Sequence, residues 1–283
     1  MIHFIINPNA GTKKQRNYHA FVELIQANPA HIVHQTSRPL EAMDMAREAI
    51  AAGATRIIAV GGDGTINEVA SALVGSNIQL GIIPIGSGNG LARHLGLPLD
   101  PIKALEFAIQ SPAQKMDVGI FNERHFFCTA GIGFDASVAH RFAKGSKRGF
   151  INYIKATFQT LFNYKPIEVS INEGPYEKVF SLTIANANQF GNNAYISPFS
   201  NIQDGQLELI KINKINLFQA AIIGIRLFWG NINKSKAVQI SSCNKVAIRY
   251  KSNAPFHLDG EHLFTPESVI KIQIVPLALN VVF

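Results

Sequence analysis

The sequence predicts an α/β domain, a parallel sheet covered by helices, followed by a mostly antiparallel β-rich domain. Three observations carry this. Over the first 110 residues, short apolar runs closed by Gly, Pro, Ser or Thr alternate with helical patterns. Such alternation builds a parallel sheet buried on both faces. Beyond about residue 115 the texture changes to short β-rich runs separated by turn signals. The length of 283 residues suits two domains better than one. The expected division is 1–115 and 116–283, with room for the extreme C-terminus to pack back on the first domain.

Taken in order, "IHFIINP" (2–8), "HIVHQT" (31–36), "RIIAV" (56–60) and "LGIIPI" (80–85) read as buried strands. Between them, "LEAMDMAREAIAAG" (40–53) places Leu40, Met43, Ala46, Ala49 and Ile50 on one helical face, with Gly53 as its stop. Ile66, Val69, Ala70, Leu73 and Val74 follow the same spacing over 65–75. "DPIKALEFAIQ" (100–110) opens with Asp100 as N-cap and Pro101 at the first helical position. In the second half, "RHFFCTAGIGF", "IEVSI", "KVFSLTIANA", "GQLELIKI", "AVQISS", "KVAIRY" and "VIKIQIV" read as strands. Turn signals such as "NEGP" and "QDGQ" separate them, and helical patterns interrupt at about 135–163 and 215–229.

Composition narrows the function classes. The chain is 47% hydrophobic and 16% charged, which supplies a core and argues against disorder. Two cysteines, Cys128 and Cys243, make no disulfide framework and suit a reducing compartment. The N-terminus "MIHFIINPNAG" lacks a basic leader, so no signal peptide is expected. The apolar stretch 215–230 is short of a membrane span and contains Arg226. The net charge of +7 favours anionic partners, nucleotide phosphates or an acidic lipid surface alike. The histidines and cysteines show no zinc spacing.

The sharpest signal is "AVGGDGTINEV" (59–69). Glycines are costly to order, so a cluster marks a backbone that must go where a side chain would block it. "GGDGT" follows a strand and opens a helix, the geometry in which backbone N–H groups bind phosphate. The same residues also read as a tight turn with a Thr65–Glu68 capping box. "PIGSGNGLAR" (84–93) and "NPNAG" (7–11) repeat the device after two other strands. Three such turns at the carboxyl ends of parallel strands share the edge where open α/β folds bind ligands. No P-loop pattern occurs. "GIGFDA" (131–136) fits a dinucleotide pattern on paper but falls in the β-rich half, where it reads as a turn.

These stretches, with "MDVG", "DGQLEL" and "LDGE", resemble in order the diacylglycerol kinase catalytic-domain family of lipid kinases, which includes sphingosine and ceramide kinases. "GGDGT" alone is shared with NAD kinases. The resemblance implies an N-terminal α/β domain, a C-terminal β-sandwich, and ATP in the cleft between them. It implies nucleotide contacts at Asn7, Gly11, Thr36, the run Gly61, Gly62, Asp63, Gly64, Thr65, Ile66 and Asn67, and Ser87. In bacterial members three aspartates form a network linked to magnesium. Asp63 and Asp117 match two of them, and Gly90 stands at the third. The resemblance places the catalytic acid–base group at Glu261, with Asp63 itself as the alternative. "NIQDGQLEL" (201–209) resembles a further metal site using Asp204 and the carbonyls of Asn201 and Gln206, and it reads equally as a simple turn.

Phosphoryl transfer needs held phosphates, a cation on them and an oriented nucleophile. Magnesium takes one or two carboxylates beside phosphate oxygens, and Asp63 stands in the phosphate loop. The expectation is an ATP- and Mg²⁺-dependent lipid kinase acting on a diacylglycerol-like or sphingoid lipid. The alternatives are a kinase of a soluble hydroxyl compound such as NAD, or a non-catalytic nucleotide-binding protein. A cytoplasmic protein is expected, with no nucleic acid partner and with oligomer formation open. The basic run "RFAKGSKRG" (141–149) suggests peripheral contact with an anionic membrane, against the plainer reading of a solvated face.

Overall fold

The computed structural model describes residues 1–11, 18–145, 149–251, 254–264 and 269–283. Residues 146–148 of the basic run lie outside them. The chain forms two compact units, Met1–Met116 with Leu277–Phe283, and Asp117–Pro276.

The first unit runs β1 (Ile2–Ile6), α1 (Tyr18–Gln26), β2 (His31–Gln35), α2 (Glu41–Ala51), β3 (Arg56–Gly61), α3 (Asp63–Leu73), β4 (Gln79–Pro84), α4 (Gly90–His94) and α5 (Pro101–Gln110). The strands lie parallel in the order β2-β1-β3-β4. Phe4, Ile6, Ile58, Val60 and Ile83 from the strands pack with Phe21, Ile25, Ala104, Leu105 and Ala108 from the helices. Helix α5 starts as its sequence dictates: the Asp100 carboxylate accepts the N–H groups of Ile102 and Lys103 at 3.1 and 3.0 Å.

Helix α3 departs from expectation. It starts at Asp63, with Gly62 as an N-cap that offers no side-chain bond. Thr65 is therefore already inside the helix, and the Thr65–Glu68 capping box does not form. The Glu68 carboxylate instead accepts the N–H groups of Leu40 and Ala42, each at 3.1 Å, and so caps the start of α2. Burial pushes its carboxyl above the ordinary range.

The second unit is an antiparallel β-sandwich. Strand β5 (Ala113–Phe121) leads the chain into it, followed by β6 (Arg124–Phe126), β7 (Thr129–Gly133), α6 (Phe134–Lys144), α7 (Phe150–Leu161), β8 (Ile167–Ile171), β9 (Glu177–Ala185), β10 (Leu207–Asn213), α8 (Leu217–Phe228), β11 (Val238–Cys243), β12 (Lys245–Tyr250), β13 (Phe256–Leu258), β14 (Glu261–Leu263) and β15 (Val269–Val282). Strand β9 is the hub, pairing with β7, β8 and β10. Phe126, Ile132, Val169, Leu182, Ile248, Phe256 and Ile270 form one core cluster, and Phe180, Ile196, Ile210, Ile223 and Ile232 a second.

Two sequence expectations are refined. The pattern at 135–163 is two helices, separated at Gly145 and Gly149, the latter at φ +108°. "GIGFDA" is a strand-to-helix junction rather than a turn, because Gly133 ends β7 and is the N-cap of α6. Strand β15 also continues past Pro276 into the first unit, where Asn280 and Val281 pair in parallel with Gln79 and Leu80 of β4. Among the described residues, no helix is long and apolar enough to cross a membrane.

Candidate functional site

In the first unit β1 lies between β2 and β3, so the chain order reverses between β1 and β3. Such a switch point opens a crevice beyond the carboxyl ends of the strands. The ladder carries each turn one residue past its strand: Asn7 N–H donates to Val60 O, Thr36 N–H to Ile6 O and Ile85 N–H to Gly61 O, each at 2.9 Å. Across the switch point the Asn7 Nδ2 amide donates to Thr65 Oγ1 at 2.9 Å, while Asn7 Oδ1 accepts Asn9 N–H at 2.9 Å. Gly11 closes that turn at φ +84°, where a Cβ would lie 2.5 Å from Ile85 O. No other residue satisfies both the angle and the space.

The two remaining glycine turns touch. A Cβ on Gly86 would stand 2.6 Å from the Gly62 Cα. One on Gly88 would stand 2.8 Å from Asp63 Oδ2. That gap admits the Asp63 carboxylate to the start of α4, where Oδ2 accepts Asn89 N–H at 2.9 Å and Oδ1 accepts Gly90 N–H at 2.7 Å. Gly90, where the resemblance expects a third carboxylate, puts no like charge beside Asp63, and its N–H is one of the two that hold the carboxylate. Asn89 Nδ2 donates to Gly86 O at 3.0 Å, whereas its Oδ1 is buried without a hydrogen-bond partner.

This cradle fits a phosphate and its cation. The α3 N-terminus has no side-chain cap, and helix N-termini favour anions. The Asp63 carboxylate and the buried Asn89 Oδ1 are oxygens, the donor type magnesium prefers. Ile66 contributes neither side chain nor N–H: the side chain is in the core and the N–H donates to Gly62 O within the helix. Thr65 is buried, its hydroxyl engaged by Asn7, whereas Ser87 is exposed.

The second unit uses its acids differently. Asp117 is fully buried, and its Oδ2 accepts Gly205 N–H at 2.7 Å. Its own N–H donates to Ile202 O at 2.7 Å, so it clamps the 201–206 loop. That loop is folded by local turns: Asn201 Oδ1 accepts Gln203 N–H, and Asp204 Oδ1 accepts Gln206 N–H, both at 3.0 Å. Among the described residues no three His, Cys, Asp or Glu side chains cluster as metal ligands. One carboxylate and the carbonyls of Asn201 and Gln206 are what this loop offers.

The "HLDGEHL" stretch is a two-residue hairpin with Asp259 at φ +48° and Gly260 at φ +83° between β13 and β14. Its two acids have separate fates. Asp259 turns inward, and its carboxylate accepts the N–H groups of Phe127, Cys128 and Thr129 at 2.9, 2.7 and 3.0 Å. Glu261 is exposed at the start of β14. Beside them lies a group that sequence reasoning missed: the partly buried Asp135, whose Oδ2 accepts the hydroxyl of the buried Thr183 at 2.6 Å and lies 3.2 Å from Nε2 of the buried His257. Gly131 makes room for it, since a Cβ there would stand 2.6 Å from His257 Nε2. The available signal was the Asp of "GIGFDA" together with the His of "HLDGE".

Residues 1–121 match the family described as the diacylglycerol kinase catalytic domain, and residues 128–283 match the YegS C-terminal NAD kinase beta sandwich-like domain. The chain is 34% identical to a probable lipid kinase YegS-like of Chromohalobacter salexigens, over 78% of this chain and 74% of that protein. It is 28% identical to a diacylglycerol kinase of Bacillus subtilis, over 91% of this chain and 88% of that protein. A crystal structure of a putative diacylglycerol kinase from Bacillus anthracis superposes with a TM-score of 0.78 at 22% identity, covering 100% of this chain and 96% of the other. At that identity the likeness establishes the fold.

Proposed function

The chain belongs to the diacylglycerol kinase catalytic-domain family, and from that premise we propose that it is an ATP-dependent lipid kinase whose acceptor is a hydroxyl of a diacylglycerol-like or sphingoid lipid. One observation carries the reading: three glycine turns converge at the switch point of the first unit, with Asp63 fixed among them. The uncapped start of α3 and the facing Gly62 and Gly86 backbones receive the phosphates. Asp63, whose carboxylate accepts the Asn89 N–H, would hold magnesium with Asn89 Oδ1, and the cation when bound would neutralise the charge that builds on the phosphates. The family resemblance gives the acid–base role to Glu261: it would take the proton from the acceptor hydroxyl, whose oxygen bonds to the γ-phosphorus as the bond bridging to ADP breaks.

A second reading, phosphorylation of a soluble hydroxyl compound such as NAD, draws on the NAD kinase-like description of the matched C-terminal family. Phosphate transfer from γ-labelled ATP to diacylglycerol, a sphingoid base, ceramide and NAD decides between them. Label in a lipid product supports the proposal; label in NAD alone, or in none, rejects it.

A further inference from the structure

Helix α8 is apolar almost all round, with Arg226 its one charged residue. One side is anchored: Ile223 is buried in the second core cluster, with Ala220 and Leu227 packed against it. The opposite side carries Phe218, Ile222, Ile225 and Trp229 at i, i+4, i+7 and i+11, and all four are exposed, Phe218 at 74% and Trp229 at 73%. A helix that is hydrophobic all round is ordinarily buried. Helix α7 repeats the pattern. Ile151, Lys155, Phe158 and Phe162 occupy the same spacing and are exposed, Ile151 at 82%. The two helices meet where the Phe150 and Phe228 rings pack edge to face at 5.9 Å.

Charge says what covers this surface. Residues 136–167, which contain α7, hold six Lys or Arg and no Asp or Glu. Residues 209–258, which contain α8, hold eight and none. Lys155, Lys214, Lys234 and Lys236 are exposed, and no ion pair among the described residues involves them. We infer that the exposed stripes of α7 and α8 form a docking face for an anionic lipid bilayer, with Phe218, Ile225, Trp229, Ile151 and Phe158 entering the headgroup–acyl boundary and the lysines meeting lipid phosphates. Exposed aromatic and aliphatic residues beside cations are what interfacial helices present to a membrane. A second copy of this chain would bring the exposed Lys155, Lys214, Lys234 and Lys236 against the same four cations. The choice of a bilayer rests also on the lipid-acceptor reading above.

Trp229 is the only tryptophan, so its fluorescence reports on this face alone. Native protein is titrated with vesicles of phosphatidylcholine, with and without phosphatidylglycerol. The expected result is a blue shift of Trp229 emission and quenching by brominated lipid, stronger with phosphatidylglycerol and weakened by salt. Phe218→Ser/Ile225→Ser should lower vesicle partitioning about tenfold or more, the scale on which losing a buried large side chain moves an equilibrium. The doublet should keep its activity on a dissolved short-chain diacylglycerol. Unchanged Trp229 emission on saturating vesicles overturns the inference, and this readout in native protein stands even if the doublet fails to fold. A blue shift that grows with protein concentration in the absence of vesicles also overturns it, in favour of a second copy. Vesicle binding without phosphorylation of any lipid would reject the kinase reading and leave the surface standing. Phosphorylation of lipid with Trp229 still in water would do the reverse.

Discussion

The two units spend their charge in opposite ways. Met1–Met116 with Leu277–Phe283 holds 9 Lys or Arg against 8 Asp or Glu, whereas Asp117–Pro276 holds 17 against 11. The first is nearly neutral, yet it builds an anion cradle from backbone: glycine turns, an uncapped helix start and one carboxylate pinned to two N–H groups. The second is strongly cationic, yet its Asp117, Asp135 and Asp259 hold backbone or side-chain donors within the fold. Net charge therefore does not locate a phosphate site. Dipoles aimed by a tight turn do so locally, while net charge acts at longer range on a surface.

Asp63 is where that contrast can be broken most forcefully. Asp63→Asn should lower phosphate transfer by roughly 10³-fold, on the scale of losing a group that stabilises transferring charge. It should also cost about 1–2 kcal/mol of stability, because an amide sets an N–H₂ against one of the two N–H groups at the start of α4. Near-normal turnover in the folded variant would remove Asp63 from the chemistry.

Asp259 and Glu261 sharpen the comparison within a single hairpin. Asp259→Ala strands three N–H groups and should destabilise the protein by about 3 kcal/mol, lowering Tm by roughly 10 °C. Glu261→Gln, at an exposed position, should leave Tm within about 1–2 °C while lowering turnover roughly 10²-fold. Thermal unfolding beside single-turnover transfer separates the two, and a matched loss of Tm in both variants would merge their roles.

Gly86→Ala pushes a methyl group against the Gly62 Cα and should weaken ATP binding roughly tenfold as the two turns part. The smallest effect concerns pH. Burial raises the Glu68 carboxyl, so the folded state holds its proton to higher pH than the unfolded state does. Stability then falls as pH rises from the ordinary carboxylate range towards the raised one. The stability advantage of the native protein over Glu68→Gln should accordingly shrink across that window, as read from denaturant midpoints at successive pH values.

Much of this was legible in the sequence. Strands β1 to β4 fall within a residue or two of the apolar runs; for β1, β3 and β4 burial on both faces leaves little room for polar residues, whereas β2, expected as a buried strand, is the edge strand and none of its five residues is buried. Helix α5 was legible because Asp100 and Pro101 act locally. What depended on neighbours far along the chain was not. Glu68 sits three residues after Thr65, as a capping box requires, yet it bonds to Leu40 and Ala42, because α3 begins earlier and lies beside α2. The sequence left room for the extreme C-terminus to pack back on the first domain but did not show how: β15 runs on past Pro276, bends at Leu277, φ +50°, and resumes beside β4. For the candidate site, the glycine turns were visible as spacing, and their mutual contact was not. The inward turn of Asp259 and the outward placement of Glu261 were equally hidden, because a two-residue hairpin puts no mark on which acid faces the core.

The division of work between the units is tested most directly by calorimetric titration of ATP, with magnesium, into native protein, Gly86→Ala and Glu261→Gln. The expected result is an ATP affinity weakened about tenfold in Gly86→Ala and unchanged in Glu261→Gln, whose loss appears only in turnover. Collapse of ATP binding in Glu261→Gln, or native affinity in Gly86→Ala, would contradict it.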